Sequence, residues 1–472
     1  MTDMIAAFTA ILGKAHVLTG ADAARYGIDA TGYYPCQPRA VLRPATTKEV
    51  SAILSHANAS GIAIVPAGGR TGLTGATHAE GAVMLSLERM NRIRDLRPAA
   101  RVAVAEAGVV LSTLHDRAAE HGLDFPLWFG ARGSATIGGV LSTNAGGSNV
   151  LRYGNTRALC LGVEAVLADG RVLNLMGALH KDNSGYDLRD LLIGAEGTLA
   201  VITAATLKLV PAAKARVTAV LGMKSLDDAL MLLNQVQEAS GGMVEAFEYM
   251  PDTYQRQLSA ARPDLGLNLP DIHPVSILIE LGATAPRDTV PNADGSLPLT
   301  ELLTKALEPM LEDGTIDDAV IATSGEQRRA IWERREAAAE ITYAAGTTID
   351  TDIALPLDRV TAFLERIEPE LQKLDPGAGN LVVAHLGDGN LHYTALPTRD
   401  DPALHDAVVE AVEDIVADLG GSFSAEHGIG LSKRATMARR KDPVALDVMR
   451  AIKAALDPKN TLNPGKVLPP AG

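Results

Sequence analysis

Residues 61–77, GIAIVPAGGRTGLTGAT, run from a short apolar segment straight into a loop carrying Gly68, Gly69, Gly72 and Gly75. The apolar part reads as a strand. A glycine loop directly after a strand is a common anion cradle, because glycines admit positive φ and let successive N–H groups converge. Two more segments have the same character: GARGSATIGGVLSTNAGGSN at 130–149 and LIGAEGTLAVIT at 192–203. One such segment alone reads as an ordinary tight turn. Three in one half of a chain point to a large cofactor. The spacing excludes two familiar cradles. The dinucleotide pattern GxGxxG is absent, since Gly428–Ile429–Gly430 lacks a third glycine at the needed distance, and the phosphate loop GxxxxGK[ST] is absent too. Neither NAD nor ATP therefore has its usual cradle here.

The rest of the chain sets bounds. Its 472 residues suggest two or three domains, and a content of 47% hydrophobic and 21% charged residues is that of a globular protein with ample core. With 43 basic against 57 acidic residues the net charge is −14, which argues against nucleic acid and anionic membrane surfaces as partners. Cys36 and Cys160 lie far apart and read as free thiols, in keeping with a cytoplasmic setting. MTDMIAAFTAILGKAH at 1–16 lacks a basic start and a clear cleavage site, so it reads as an amphipathic helix. No run of 18 apolar residues predicts a membrane span.

Strand and glycine segments fill the first half. RVAVAEAGV is a strand followed by a helical stretch, LSTLHDRAAEHG; LGVEAVLADGRVLNL is a hairpin around Asp169–Gly170; LAVITAATLKLV closes the block at Pro211. The second half changes rhythm. A strand, RVTAVLG, leads to a helix capped by Ser225, with Leu226, Leu230, Leu233 and Val236 on one stripe. Strands GMVEAFEYM and VSILIEL follow. After a connecting helix in EQRRAIWERREAAAEITYA, the same grammar returns: strand TTIDTDIALP, a helix with Val360, Phe363, Leu364, Ile367 and Leu371, a hairpin, and a helix with Leu404, Val408, Val412, Ile415 and Leu419. This is a split βαβ plan used twice. The expected division is a helical segment at 1–35, a cofactor domain at 36–211, a substrate domain at 212–420, and a C-terminal segment at 421–472 that returns to the cofactor domain.

The hairpin LVVAHLGDGNLHYT, 381–394, holds two of the chain's 11 histidines. A four-residue loop at Gly387–Asn390 pairs Leu386 with Leu391 and sets His385 opposite His392, with Cβ atoms roughly 4.5–5.5 Å apart. Two imidazoles so placed grip one metal ion, or they are polar residues flanking a surface turn.

Six motifs together resemble one family: Pro66–Gly72, GSATIGGVLSTNAGG at 133–147, GAEGTLAVIT at 194–203, HLGDGNLH at 385–392, SAEHGIG at 424–430 and NPGKVL at 463–468. In this order they are similar to the FAD-linked D-2-hydroxy acid dehydrogenases: D-lactate and D-2-hydroxyglutarate dehydrogenases and the flavoprotein subunit of glycolate oxidase. These share the FAD-binding fold of vanillyl-alcohol oxidase and p-cresol methylhydroxylase. The resemblance implies an α+β chain, with an FAD-binding domain of that type and a ferredoxin-like, duplicated substrate (cap) domain. It implies a pyrophosphate loop at Pro66, Gly68, Gly69, Arg70, Thr71, Gly72 and Gly75. Gly133, Thr136, Gly138, Gly139, Ser142, Asn144, Gly146 and Gly147 are then expected along the flavin and ribityl chain. Glu196, Gly197 and Ile202 fall near the adenosine, and Asn463 reaches back to the flavin. No histidine or cysteine lies within Pro66–Gly75, so FAD is expected to be non-covalent.

The segment SAEHGIG offers the third ligand. Glu426 and His427 are adjacent, so their side chains diverge. Glu426 completes a His385–His392–Glu426 set suited to zinc first, or to manganese or iron, with positions open for substrate oxygens. His427 is by resemblance the general base. The expected chemistry is metal-assisted oxidation of a small D-2-hydroxy acid, with electrons passing to a carrier flavoprotein, a quinone, a cytochrome or oxygen; a homodimer is compatible with this reading. A metal hydrolase with the same three ligands is the competing class, but it has no need of a dinucleotide cradle.

One stretch departs from the hydroxyglutarate enzymes. Those carry a threonine four residues after an arginine, then a lysine in the next strand, and an asparagine two residues after the second histidine. Arg335 matches the arginine, with Arg334 beside it, while the other three positions read Ala339, Asp350 and Thr394. An aspartate in place of a lysine repels a second carboxylate. D-lactate is therefore expected to be favoured over D-2-hydroxyglutarate.

Overall fold

The computed structural model describes residues 2–470. These form two compact units: residues 2–146, 154–211 and 426–470 in the first, and 147–153 with 212–425 in the second.

Among the described residues the first unit holds two larger sheets and one of two strands. The strands β1 (Val17–Leu18), β2 (Ala40–Leu42), β3 (Ile64–Ala67) and β4 (Val83–Ser86) lie in the order β1-β2-β4-β3, with the last three parallel. Ala40–Leu42 and Val83–Ser86 are buried at every position, as expected of parallel strands covered on both faces. The helix Thr2–Leu12 buries Met4, Phe8 and Leu12 in the same core as Val50, Ile53 and Leu54 of the helix Thr47–Ser60. The residues set apart at 1–35 thus contribute to this core.

The second sheet is antiparallel. The strands β5 (Ile93–Arg97) and β6 (Val102–Glu106) belong to it; β7 (Leu123–Asp124) lies outside it and pairs with β11 (Val210–Pro211). With β8 (Cys160–Leu167), β9 (Val172–Leu175) and β10 (Ala200–Lys208) the order is β5-β6-β10-β8-β9. The Asp169–Gly170 hairpin forms where its turn signal stands.

The second unit has one sheet of seven strands. Its members are β12 (Ala215–Met223), β13 (Val244–Pro251), β14 (Val275–Ala283), β15 (Ile316–Ile321), β16 (Ile349–Ala354), β17 (Gly379–His385) and β18 (Asn390–Leu396), in the order β15-β12-β14-β13-β17-β18-β16. The first four, with the helices Leu226–Ser240 and Pro298–Glu312, make one complete split βαβ unit. The second copy uses β16, β17 and β18 with the helices Val360–Leu374 and Pro402–Asp418. Its fourth strand shrinks to a single bridge, Ala354 to Ser422. The copies meet where β13 pairs with β17 over Glu248–His385 and Tyr249–Ala384. Ser225 stands at the N-cap of the helix Leu226–Ser240 but makes no side-chain cap bond.

The connecting helix is two helices, Gly325–Glu336 and Ala338–Ala344, divided at Ala337, where ψ is −8°. Arg334 and Arg335 pin the last turn of the first helix, each buried with its own partner. Arg334 donates to the Gly266 carbonyl and, at 2.6 Å, to Gln255 Oε1. Arg335 Nε donates to Glu248 Oε2 at 2.8 Å.

Candidate active site

The cofactor segments converge inside the first unit. After β3 the chain enters the loop at 68–75, whose first two residues, Gly68 and Gly69, have almost no room for a side chain. A Cβ on Gly68 would stand 2.3 Å from Thr136 Oγ1, and one on Gly69 2.0 Å from the Ser134 carbonyl oxygen. Loop and helix start are therefore packed backbone to backbone, as a diphosphate cradle requires. The helix Ile137–Thr143 begins at Thr136 and ends at Asn144 in the left-handed region, where Asn144 Oδ1 accepts from Arg157 N at 2.9 Å. Ser142 Oγ donates to the Gly138 carbonyl at 2.7 Å. Asn463 Nδ2 donates to the carbonyls of Ala76 (3.1 Å) and Glu196 (2.8 Å). Thr136 Oγ1 and Asn463 Oδ1 are buried, and neither has a hydrogen-bond partner among the described residues. Buried polar atoms are normally paired, so these two, beside a glycine cradle, fit a bound FAD.

Two of the expected cofactor residues, Arg70 and Glu196, carry additional roles. The Arg70 side chain lies 4.6 Å over the Tyr26 ring and donates to the Arg25 carbonyl, leaving its backbone in the loop. Tyr26 was not legible as part of this site, because it lies 44 positions upstream in a stretch without a motif. Gly147 falls in the second unit, one residue beyond Gly146. Glu196, buried at φ 49°, joins several segments. Its N–H donates to Ser142 O at 2.8 Å, its carbonyl accepts from Asn463, and its carboxylate accepts from Ile429 N (2.7 Å) and Gly430 N (2.9 Å). Burial pushes that carboxyl above its ordinary value, against the pull of the two backbone donors. The segment with His427 is thereby tied to the cradle: Thr74 Oγ1 donates to the His427 carbonyl, and Thr74 O accepts from Leu431 N at 2.7 Å.

In the second unit the hairpin register differs from the expected one. His385 pairs with Asn390, Ala384 with Leu391, and Val383 with His392, so the turn is 386–389. Leu386 sits in the turn and is still buried in the core. Gly389 takes φ +80°, and a Cβ there would meet the Leu355 carbonyl oxygen at 2.1 Å, which closes the turn one residue early. His385 and His392 are diagonal neighbours instead of an opposed pair. The sheet's period of two still puts them on one face, with ring centroids 5.5 Å apart and planes at 82°. Glu248 and Asp352, their lateral neighbours on β13 and β16, share that face. Glu248 Oε1 lies 2.9 Å from His385 Nδ1, and an Asp352 oxygen 3.9 Å from His392 Nδ1. Burial alone would raise the Glu248 carboxyl, but His385 and Arg335 hold it below the usual carboxylate range. Arg335 keeps one buried nitrogen, Nη2, without a partner among the described residues. Arg334, 1% exposed, faces Gly266 and Gln255, which settles which arginine belongs to this face.

Ala425 N donates to the Asp352 carbonyl at 3.2 Å, beside His392, and Glu426 is the next residue of the chain. The two departures Asp350 and Thr394 are cross-strand partners, with Thr394 Oγ1 donating to Asp350 Oδ1 at 2.8 Å. Ala339 is exposed.

Comparison with known proteins identifies the family. Residues 38–176 match the family described as FAD binding domain, and residues 212–467 match FAD linked oxidases, C-terminal domain. The chain is 37% identical over 434 residues to the mitochondrial D-2-hydroxyglutarate dehydrogenase of Bos taurus, covering 91% of this chain and 77% of that one. It is 36% identical over 457 residues to the D-2-hydroxyglutarate dehydrogenase of Xanthomonas citri pv. viticola, covering 95% and 93%. Among solved structures, p-cresol methylhydroxylase with bound substrate superposes with a TM-score of 0.72 at 15% identity, over 98% of this chain and 96% of that one. The fold is thus the α+β one of that oxidase type. By its two matched domains and its full-length relatives, the chain belongs to the FAD-linked D-2-hydroxy acid dehydrogenases, oxidoreductases that act on a CH–OH group.

Proposed function

We propose that the protein oxidises a D-2-hydroxy acid to the 2-oxo acid, with D-2-hydroxyglutarate as the leading substrate. The observation that carries this reading is one sheet face bearing two imidazoles, His385 and His392, with Arg335 joined to the first through Glu248. The relatives named for D-2-hydroxyglutarate favour that acid over the shorter one expected from the sequence. In this reading His385, His392 and Glu426 hold a divalent metal, zinc before manganese or iron. When bound, the ion supplies a Lewis acid for the substrate's hydroxyl and carboxylate oxygens. Arg335 offers its unpaired Nη2 to a substrate carboxylate. His427 takes the hydroxyl proton. FAD, held non-covalently, supplies the acceptor for the hydride from Cα. Proton and hydride together account for the two hydrogens lost. The electrons then leave to a carrier flavoprotein, a quinone, a cytochrome or oxygen.

A second reading, D-lactate or another short D-2-hydroxy acid, is favoured by Asp350 and Thr394. Their hydrogen bond leaves an acidic group where a second carboxylate would need a cation. Anaerobic bleaching of the flavin by a panel of D- and L-2-hydroxy acids, with kcat/KM for both candidates, tests the proposal. A clear preference for D-2-hydroxyglutarate is expected. A preference for D-lactate would replace it with the second reading, and bleaching by neither would remove both.

A further inference from the structure

We infer that Glu248 is a positioning residue that fixes the tautomer and ring orientation of His385 as a metal ligand. The inference rests on the metal reading above and adds to it a residue that does not touch the ion.

Glu248 stands directly opposite His385 across β13 and β17, and it is completely buried. A buried carboxylate is costly unless charges or donors surround it. Here Arg335 Nε donates to Oε2 at 2.8 Å, and His385 Nδ1 lies 2.9 Å from Oε1. A carboxylate paired to an arginine is an acceptor only, so the hydrogen in the second contact belongs to His385 Nδ1. That assigns the neutral ring its lone pair on Nε2, the form in which a histidine ligates through Nε2. The same contact stops the ring from turning about its Cβ–Cγ bond. Metal-binding histidines regularly donate their second nitrogen to a carboxylate in this way, and loss of that partner typically weakens metal binding about 10–100-fold. Arg335 bonds the far oxygen, Oε2, and leaves Oε1 to His385. The Asp352 carboxylate, beside His392, stands 3.9 Å from its Nδ1 and accepts from Asn390 Nδ2 at 3.0 Å.

The test is the apparent zinc affinity of the full-length, FAD-loaded protein, measured by competition with a chromogenic chelator. Wild type is expected to bind one zinc. Glu248→Gln is expected to bind it about 10–100-fold more weakly while its flavin spectrum is unchanged. Arg335→Met damages the same buried cluster but leaves the Glu248–His385 contact, so it should stay within about threefold of wild type. Should Glu248→Gln not fold, Glu248→Asp carries the test under the same criterion, because it keeps a charge beside Arg335 but withdraws from His385. Zinc affinity in the Glu248 variant within about threefold of wild type would overturn the inference. So would an equal loss in Arg335→Met. A wild type that binds no zinc, manganese or iron would instead overturn the metal reading itself.

Discussion

Glu196 shows how much one residue can organise. Its carboxylate satisfies two N–H groups of the turn after His427, while its own backbone bonds to Ser142 and Asn463. A buried amide left without a partner costs about 1–3 kcal/mol. Glu196→Ala strands Ile429 N and Gly430 N together and should destabilise the protein by about 2–4 kcal/mol in chemical denaturation. The same variant should slow flavin reduction, since the His427 segment loses its clamp. An unchanged denaturation midpoint would show that the turn holds without it. By resemblance the motif GAEGTLAVIT set Glu196 near the adenosine. The structure adds bonds from its carboxylate to backbone 233 and 234 positions away, a pairing that only the folded chain brings about.

At the scale of elements, the strands and helices were legible because their apolar periods are clean. The duplicated βαβ plan followed from repeating one pattern, and the sheet bears it out down to the single-residue fourth strand at Ser422. What stayed hidden was register. Gly387–Asn390 is a plausible four-residue turn by composition, and nothing local says that Leu386 gives up its strand pairing yet keeps its place in the core. The two histidines still share a face because the shift moves their pairing partners without changing their parity. The polar line across the first unit's antiparallel sheet was equally invisible. Arg94 on β5 bonds Glu106 on β6 (3.2 Å) and Glu164 on β8 (3.1 Å), and Thr203 on β10 also donates to Glu164 at 2.8 Å. Burial pushes both carboxyls up, but for Glu106 the bonds from Arg92 and Arg94 prevail, and for Glu164 those from Arg94, Thr47 and Thr203. Both therefore lie below the ordinary carboxylate value. A depressed folded pKa adds stability above the unfolded value, near pH 4.5, and that stability is lost as pH falls through the folded one. Arg94→Met should cost about 2 kcal/mol at neutral pH and move the acid-unfolding midpoint to higher pH. Circular dichroism across an acid titration measures this, and coincident curves for the two proteins would refute it.

On the scale of the whole molecule, the chemistry is parted between the units. Nearly every residue of the glycine cradle lies in the first, as do Glu426 and His427, whereas His385, His392, Glu248 and Arg335 lie in the second. Each has its own core: Phe8, Ile53 and Leu85 belong to one cluster, Phe247, Phe363 and Tyr393 to another. A point change within one core should leave the other folded. On the metal reading proposed above, local changes at the cradle and at the sheet face then test FAD and metal retention one at a time. His392→Ala removes an imidazole from the second unit's sheet face and should abolish zinc binding and flavin reduction, with one FAD per chain still bound after gel filtration. Gly69→Val drives a side chain into the Ser134 carbonyl, where even a Cβ has only 2.0 Å. It should strip the FAD yet leave zinc in place, read by elemental mass spectrometry. Should His392→Ala lose its flavin along with its metal, or Gly69→Val lose both, the two sites would be one cooperative structure, and FAD and metal retention would not be separable.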